Sequence, residues 1–160
     1  MTTHSPTTPT VIRIARLLPA TPEEVFAAWT DPVSLKEWMC PGTQTVASVS
    51  LDLRVGGTFE IVMRRENSDA VHVGEYREIR PPERLVFTWQ SAATLQRETL
   101  VTVELFPRGK QTELVLQHEL LPNEQSASQH RDGWQGIIDK FDIYLGKVRE
   151  AHSRHESENA

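Results

Sequence analysis

The run GEYREIRPPERLVFTW, residues 74–89, constrains the fold more than any other stretch of the chain. Pro81 and Pro82 stand near its centre. Proline has no amide hydrogen to give to a strand ladder, so the pair marks a reversal and not the middle of a strand. On either side the residues alternate, with Tyr76, Glu78 and Arg80 set against Glu75, Arg77 and Ile79, then Leu85, Phe87 and Trp89 against Val86, Thr88 and Gln90. Side chains of a strand point to opposite faces in turn, so this period of two predicts two half-buried strands joined as a hairpin. The hairpin turns an aromatic-rich face inward, and that face needs a second layer to cover it.

The same punctuation continues on both sides. Gly56-Gly57, Asn67-Ser68-Asp69, a polar gap at 91–97 and Arg108-Gly109-Lys110 divide residues 46–120 into six strands, among them 58–65, 71–80, 84–90, 98–106 and 112–120. Links this short favour an antiparallel meander. An earlier strand is expected at 11–18, where Val11, Arg13, Ala15 and Leu17 oppose Ile12, Ile14, Arg16 and Leu18. Thr21, Pro22 and Glu24 then make a capping box with proline in the first helical position, and Val25, Phe26 and Trp29 give that helix its apolar face. Asp31-Pro32 repeats the signal for a second short helix, carrying Leu35 and Trp38 and ended by Pro41-Gly42. After Pro122 the spacing of Trp134, Ile137, Ile138, Phe141, Leu145 and Val148 predicts one long amphipathic helix. The expected fold is α+β: a strand, two short helices, a six-strand meander and a C-terminal helix packed across a curved sheet.

A length of 160 residues suits a single domain, expected at 11–149 between polar tails, 1–10 and 150–160, that read as disordered. Seventeen Lys and Arg against 22 Asp and Glu, interspersed along the strands, argue against a nucleic-acid partner. No apolar run is long enough to cross a bilayer, so no membrane span is expected. Cys40 is the only cysteine, which excludes an internal disulfide, and the first residues lack the charged start and apolar core of a secretion signal. A cytoplasmic protein is the default expectation. No CxxC, HxxxH or HExxH pattern points to a metal, no G-x-S-x-G elbow points to a serine nucleophile, and no cofactor is expected. Glu60, Glu75, Glu78, Glu104 and Glu113 fall mainly on strand faces opposite the apolar set and read as solvated.

Three strings, DLRVGGTFEIVM at 52–63, GEYREIRPPERLVFTW at 74–89 and GWQGIIDKFDIYL at 133–145, give the chain a family likeness. It resembles the bacterial proteins similar to the activator of heat-shock-protein ATPase, within the START-like or polyketide-cyclase-like (SRPBCC) superfamily. The early V-F-x-A-W and D-P-x-x-x-x-x-W patterns fit as well, as Val25, Phe26, Ala28, Trp29 and Asp31, Pro32, Trp38. The resemblance implies a helix-grip fold with an elongated lipophilic cavity between sheet and long helix. Where relatives often continue into W-W-x-P-x-G, this chain has Trp38-Met39-Cys40-Pro41-Gly42, so Met39 and Cys40 are expected at a less aromatic, more polarisable pocket entrance.

The candidate wall of that cavity consists of strand positions sharing the apolar face, joined by residues of the helices. It comprises Trp38, Phe59, Ile61, Met63, His72, Tyr76, Phe87, Trp89, Val101, Val103, Leu116 and His118, with Trp134, Ile138 and Phe141 from the long helix; Gly74, Leu85 and Leu114 share the face. Any one aliphatic member reads equally as plain core. Tyr76 and His118 are more telling, because a hydroxyl or imidazole in an apolar alternation needs a partner. His72 ranks below His118, being nearer a turn.

The leading functional expectation is binding of a small lipophilic molecule, ligand unidentified, in a carrier or sensor role. The alternative is a cyclase- or hydratase-type enzyme working in the same cavity with His118 and Tyr76 as the acid–base pair, in which case His118→Ala abolishes turnover without unfolding the domain. A third reading, implied by the resemblance, is a chaperone ATPase regulator with a protein partner, although 160 residues leave no room for the additional amino-terminal domain of eukaryotic activators. Monomer and homodimer both remain open. Whether the gap between sheet and helix is open or filled separates these readings.

Overall fold

The computed structural model describes the backbone of residues 10–158 and the side chains of residues 10–151. Its 74–89 hairpin consists of β4 (Asp69–Arg80) and β5 (Arg84–Trp89), with Glu83 N donating to the Arg80 carbonyl across the Pro81-Pro82 turn. Tyr76 pairs with Phe87 and Ile79 with Leu85, but a bulge between Tyr76 and Glu78 breaks the simple alternation. One extra residue switches the faces beyond it. Tyr76 and Ile79 therefore share the inner face, and Glu78 turns outward to Arg84, 3.2 Å away. The alternation predicted Ile79 opposite Tyr76; the bulge corrects it.

The other strands are β1 (Thr10–Leu18), β2 (Thr45–Leu51), β3 (Thr58–Arg64), β6 (Thr99–Arg108) and β7 (Gln111–Leu121). All pairings are antiparallel, and the sheet order is β1-β7-β6-β5-β4-β3-β2. The six later strands thus form the expected meander, and β1 joins its far edge beside β7. The strands crowd most closely at Gly74. A Cβ there would lie 2.0 Å from the Thr88 carbonyl and 2.4 Å from the Phe59 ring, so only glycine lets β4 pass between β5 and the ring of its partner on β3.

The two short helices are α1 (Pro22–Thr30) and α2 (Pro32–Trp38), capped as the sequence predicts: Thr21 and Glu24 form a reciprocal capping box, and Asp31 accepts from Val33 N. The long helix α3 (Glu124–Glu158) starts from Asn123, whose side chain accepts from Ser126 N at 2.8 Å. It packs across the concave face with Trp134, Ile137, Ile138, Phe141 and Leu145 buried, while Val148 is 40% exposed. The result is an α+β helix-grip fold, with a curved seven-strand sheet around one long helix. The helix runs past residue 150, where a tail was expected, to Glu158. The apolar face stops near Leu145, but the polar residues beyond it include good helix formers that extend the backbone ladder. Most of the expected amino-terminal tail lies outside the described residues, and Thr10, its last residue, is already in β1, paired with Leu121.

Candidate functional site

The middle of the gap between sheet and α3 is closed. Trp38 stacks on Phe141 with ring centroids 3.8 Å apart, Trp29 packs edge-on against both, and Phe59 meets Tyr76, Phe87 and Trp89. What remains there is a void of about 10 Å³ bounded by Trp29, Leu35, Met39, Val49, Leu51, Phe59, Ile61, Tyr76, Phe87 and Trp89, space for about one water molecule. Val101, Val103, Leu116, Ile138 and Phe141 are at most 2% exposed and border neither this void nor the cleft described below. These members of the predicted wall pack as core. Met39 and Cys40, expected at a pocket entrance, are also buried, and Cys40 lies under α3 with Lys140 Nζ 3.0 Å from its sulfur.

Open space lies instead beside the N-terminal half of α3. A cleft of about 530 Å³ runs between the β3–β4 turn, the end of β5, the 3-10 turn Ala92–Thr94, the loop after α2 and the first turns of α3. Met63, Trp89, Trp134 and Ile137 make an apolar floor, each buried; Gln44, Arg65, Asn123, Gln125 and Gln129 supply a polar rim. His72, Ser126 and His130 sit between floor and rim. Of the predicted wall residues, the fold brings Met63, His72, Trp89 and Trp134 to this cleft.

Local interactions hold the cleft open. Ser126 Oγ donates to the Ala93 carbonyl at 2.7 Å and fastens the 3-10 turn to α3. That turn ends in two left-handed residues, Leu95 and Gln96, at φ 57° and 58°, a conformation costing a non-glycine residue about 1–2 kcal/mol each. It leaves Leu95, 57% exposed, at the mouth of the cleft. On the opposite lip, Lys140 Nζ donates to the Gln44 carbonyl at 2.8 Å, and Gly136 lets Pro41 approach the helix, where a Cβ would stand 3.3 Å from the proline. One turn earlier, a Cβ on Gly133 would meet nothing within 4 Å, because Gly133 faces the open space.

His118 has a different task from the one expected. Trp134 Nε1–H donates to its Nδ1 at 3.0 Å, which makes Nε2 the protonated nitrogen, and Nε2–H donates to Thr99 Oγ1 at 2.7 Å. The Thr99 hydroxyl in turn donates to the Trp89 carbonyl. Both ring nitrogens are used, and the chain of bonds ties β7, β6 and β5 to α3. Burial, with a smaller contribution from nearby His130, pushes the imidazole down to about 3, so the neutral ring is the stable form. Tyr76 lies on β4, three strands from β7, about 14 Å along the sheet at the usual strand spacing. Burial raises its phenol to about 12. The structure does not bring His118 and Tyr76 together as an acid–base pair.

His72 and His130 matter more than the sequence suggested. His72, 8% exposed, packs 4.9 Å from Trp89, and its Nδ1 is buried with no hydrogen-bond partner among the described residues. Burial lowers this imidazole to about 4; the carbonyls of Ile61 and Ala70 pull the other way, but neither makes a hydrogen bond of good geometry to the ring. His130 Nδ1–H donates to the Ser126 carbonyl at 2.7 Å, and burial again lowers the ring. His130 was absent from the candidate wall. Its register on α3, one turn before Trp134, was the signal that could have placed it there. Arg65, Ser126 and Gly133 were also missed, since a turn residue, a serine and a helical glycine carry no period.

Among the described residues no group of three or more His, Cys, Asp or Glu is placed to hold a metal ion, and no helix is long and apolar enough to cross a membrane.

Comparison with known proteins agrees with this architecture. Solved structures of a Nitrosomonas europaea protein (22% identity, TM-score 0.75, 88% of this chain and 96% of that one) and a Rhizobium loti protein (27%, 0.73, 86% and 97%) share the fold. So does the structure of the AHSA1 protein from Silicibacter pomeroyi, at 26% identity and TM-score 0.75, covering 87% of this chain and 99% of that one. No curated protein matches the chain. The model of the family described as "Activator of Hsp90 ATPase homolog 1-like protein" matches residues 19–146, most of the chain. The chain belongs to the family of Activator of Hsp90 ATPase homolog 1-like proteins, built on the START-like fold.

Proposed function

We propose that this protein binds a small molecule with a lipophilic body in the cleft beside the N-terminal half of α3, as a carrier or sensor. The observation that carries the reading is the cleft itself: about 530 Å³, floored by two tryptophans and rimmed by polar side chains, within the range of ordinary ligand sites, roughly 300–1,000 Å³. The central gap, where the resemblance implied a cavity, supports no such role, since about 10 Å³ admits no ligand larger than water. Turnover takes little support from the site, because His118 spends both nitrogens on structural bonds. Chaperone regulation takes none from the cleft.

Gly133 offers the test. Leucine at this position projects into the cleft, meets nothing near its Cβ and removes a glycine from a helix interior, a change worth about 1 kcal/mol in favour of the helix. Trp89 and Trp134 report on occupancy through their fluorescence. A panel of apolar probes is expected to quench the wild type and to lose at least tenfold in affinity for Gly133→Leu, with thermal stability unchanged or raised. Equal binding by both proteins would remove the cleft as the site.

A further inference from the structure

We propose that the cleft selects amphipathic carboxylates, an anionic head on an apolar body, and that Arg65 reads the charge. The inference rests on the binding reading above and names its ligand class. Its first support is charge. The cleft lining contains Arg65 and no Asp or Glu, in a chain whose acidic residues outnumber its basic ones by 22 to 17. Arg64 pairs with Asp69, Arg77 with Glu75 and Glu98, and Arg84 with Glu78 and Glu104, whereas Arg65, like Arg13, Arg97, Arg131 and Arg149, makes no ion pair among the described residues, and of these only Arg65 lines the cleft. A guanidinium at the mouth of an apolar cleft, unneutralised by the protein, favours an anion and disfavours a cation.

The second support is the apolar floor beside that charge: Met63, Trp89, Trp134 and Ile137 line the same cleft. The apolar body then lies over Trp89 and Trp134, whose ring centroids are 5.1 Å apart. An apolar ligand without a head would leave Arg65 unanswered.

Three matched probes test this below their micelle concentrations at neutral pH: decanoate, decanol and decyltrimethylammonium, followed by tryptophan quenching. Decanoate is expected to bind the wild type about tenfold more tightly than decanol, as one charge-assisted hydrogen bond at an exposed rim provides, and the ammonium probe most weakly. Arg65→Gln is expected to bring decanoate to the affinity of decanol while leaving decanol unchanged; Arg65→Lys retains part of the preference. Equal binding of decanoate and decanol by the wild type overturns the charge selection and leaves the binding reading standing. A decanoate preference that survives Arg65→Gln overturns the role of Arg65. Failure of all three probes overturns both this inference and the reading beneath it.

Discussion

The centre of the molecule and the cleft beside it are lined by the same kinds of residue, yet one is closed and the other open. Trp29, Trp38, Phe59, Phe87 and Phe141 interlock in the centre and leave about 10 Å³. A few ångströms away Trp89 and Trp134 face a space of about 530 Å³. Aromatic content does not separate the two regions; the approach of the covering layer does. In the centre α1 and α2 press down with Trp29, Leu35 and Trp38 beneath α3, whereas at the N-terminal half of α3 a tethered 3-10 turn stands in place of a helix. An inward aromatic is therefore core or pocket wall according to what packs opposite it.

Gly74 is the sharpest test of the closed region. Gly74→Ala drives a Cβ into the Thr88 carbonyl and the Phe59 ring, both fixed, and is expected to cost about 4 kcal/mol in urea unfolding. A loss below about 1 kcal/mol would show that the centre yields and that its closure is loose. His118→Ala comes next. It leaves Trp134 Nε1 and Thr99 without their partner and opens a cavity, so a loss of ~3 kcal/mol is expected, together with disturbed binding at Trp134. The enzyme reading predicted the reverse, a folded variant without turnover; a His118→Ala protein as stable as wild type would overturn the structural role of His118.

Acid titration gives the most graded effect. His118 is lowered to about 3 and His72 to about 4, both below the value near 6.5 that each regains on unfolding. Between these limits the unfolded chain takes up protons that the native state refuses, so stability falls as pH falls. Each histidine contributes a slope of roughly 1.4 kcal/mol per pH unit below about pH 6. Urea midpoints at pH 7, 6 and 5 check the sign, and the variants divide the two regions. His118→Asn should remove one histidine's share of the slope, and His72→Asn should remove less if water in the cleft solvates that ring. A flat profile from pH 6.5 to 5 would mean that neither ring is buried as neutral.

Much of the fold was legible because it rests on local rules. Thr21 with Glu24 and Asp31 with Pro32 started the helices where the sequence placed them, and glycine and proline breaks divided the meander correctly. The bulge after Tyr76 was not legible, because an extra residue in one strand appears only when the partner's register is known. The continuation of α3 to Glu158 was hidden for the opposite reason: an apolar face was required of a helix that its backbone does not require.

The site was legible only in part. Met63, His72, Trp89 and Trp134 reached the cleft because their side chains share a face with the core, but that rule cannot distinguish them from Val101 or Ile138, which remain packed. Arg65, His130 and Gly133 answer to no periodic pattern. By itself the sequence determined the order of elements, the caps, the antiparallel meander and the long amphipathic helix, since each depends on neighbours within a few residues. The tertiary structure decided where empty space would remain, because a cavity is set by the distance between layers that are far apart in the chain.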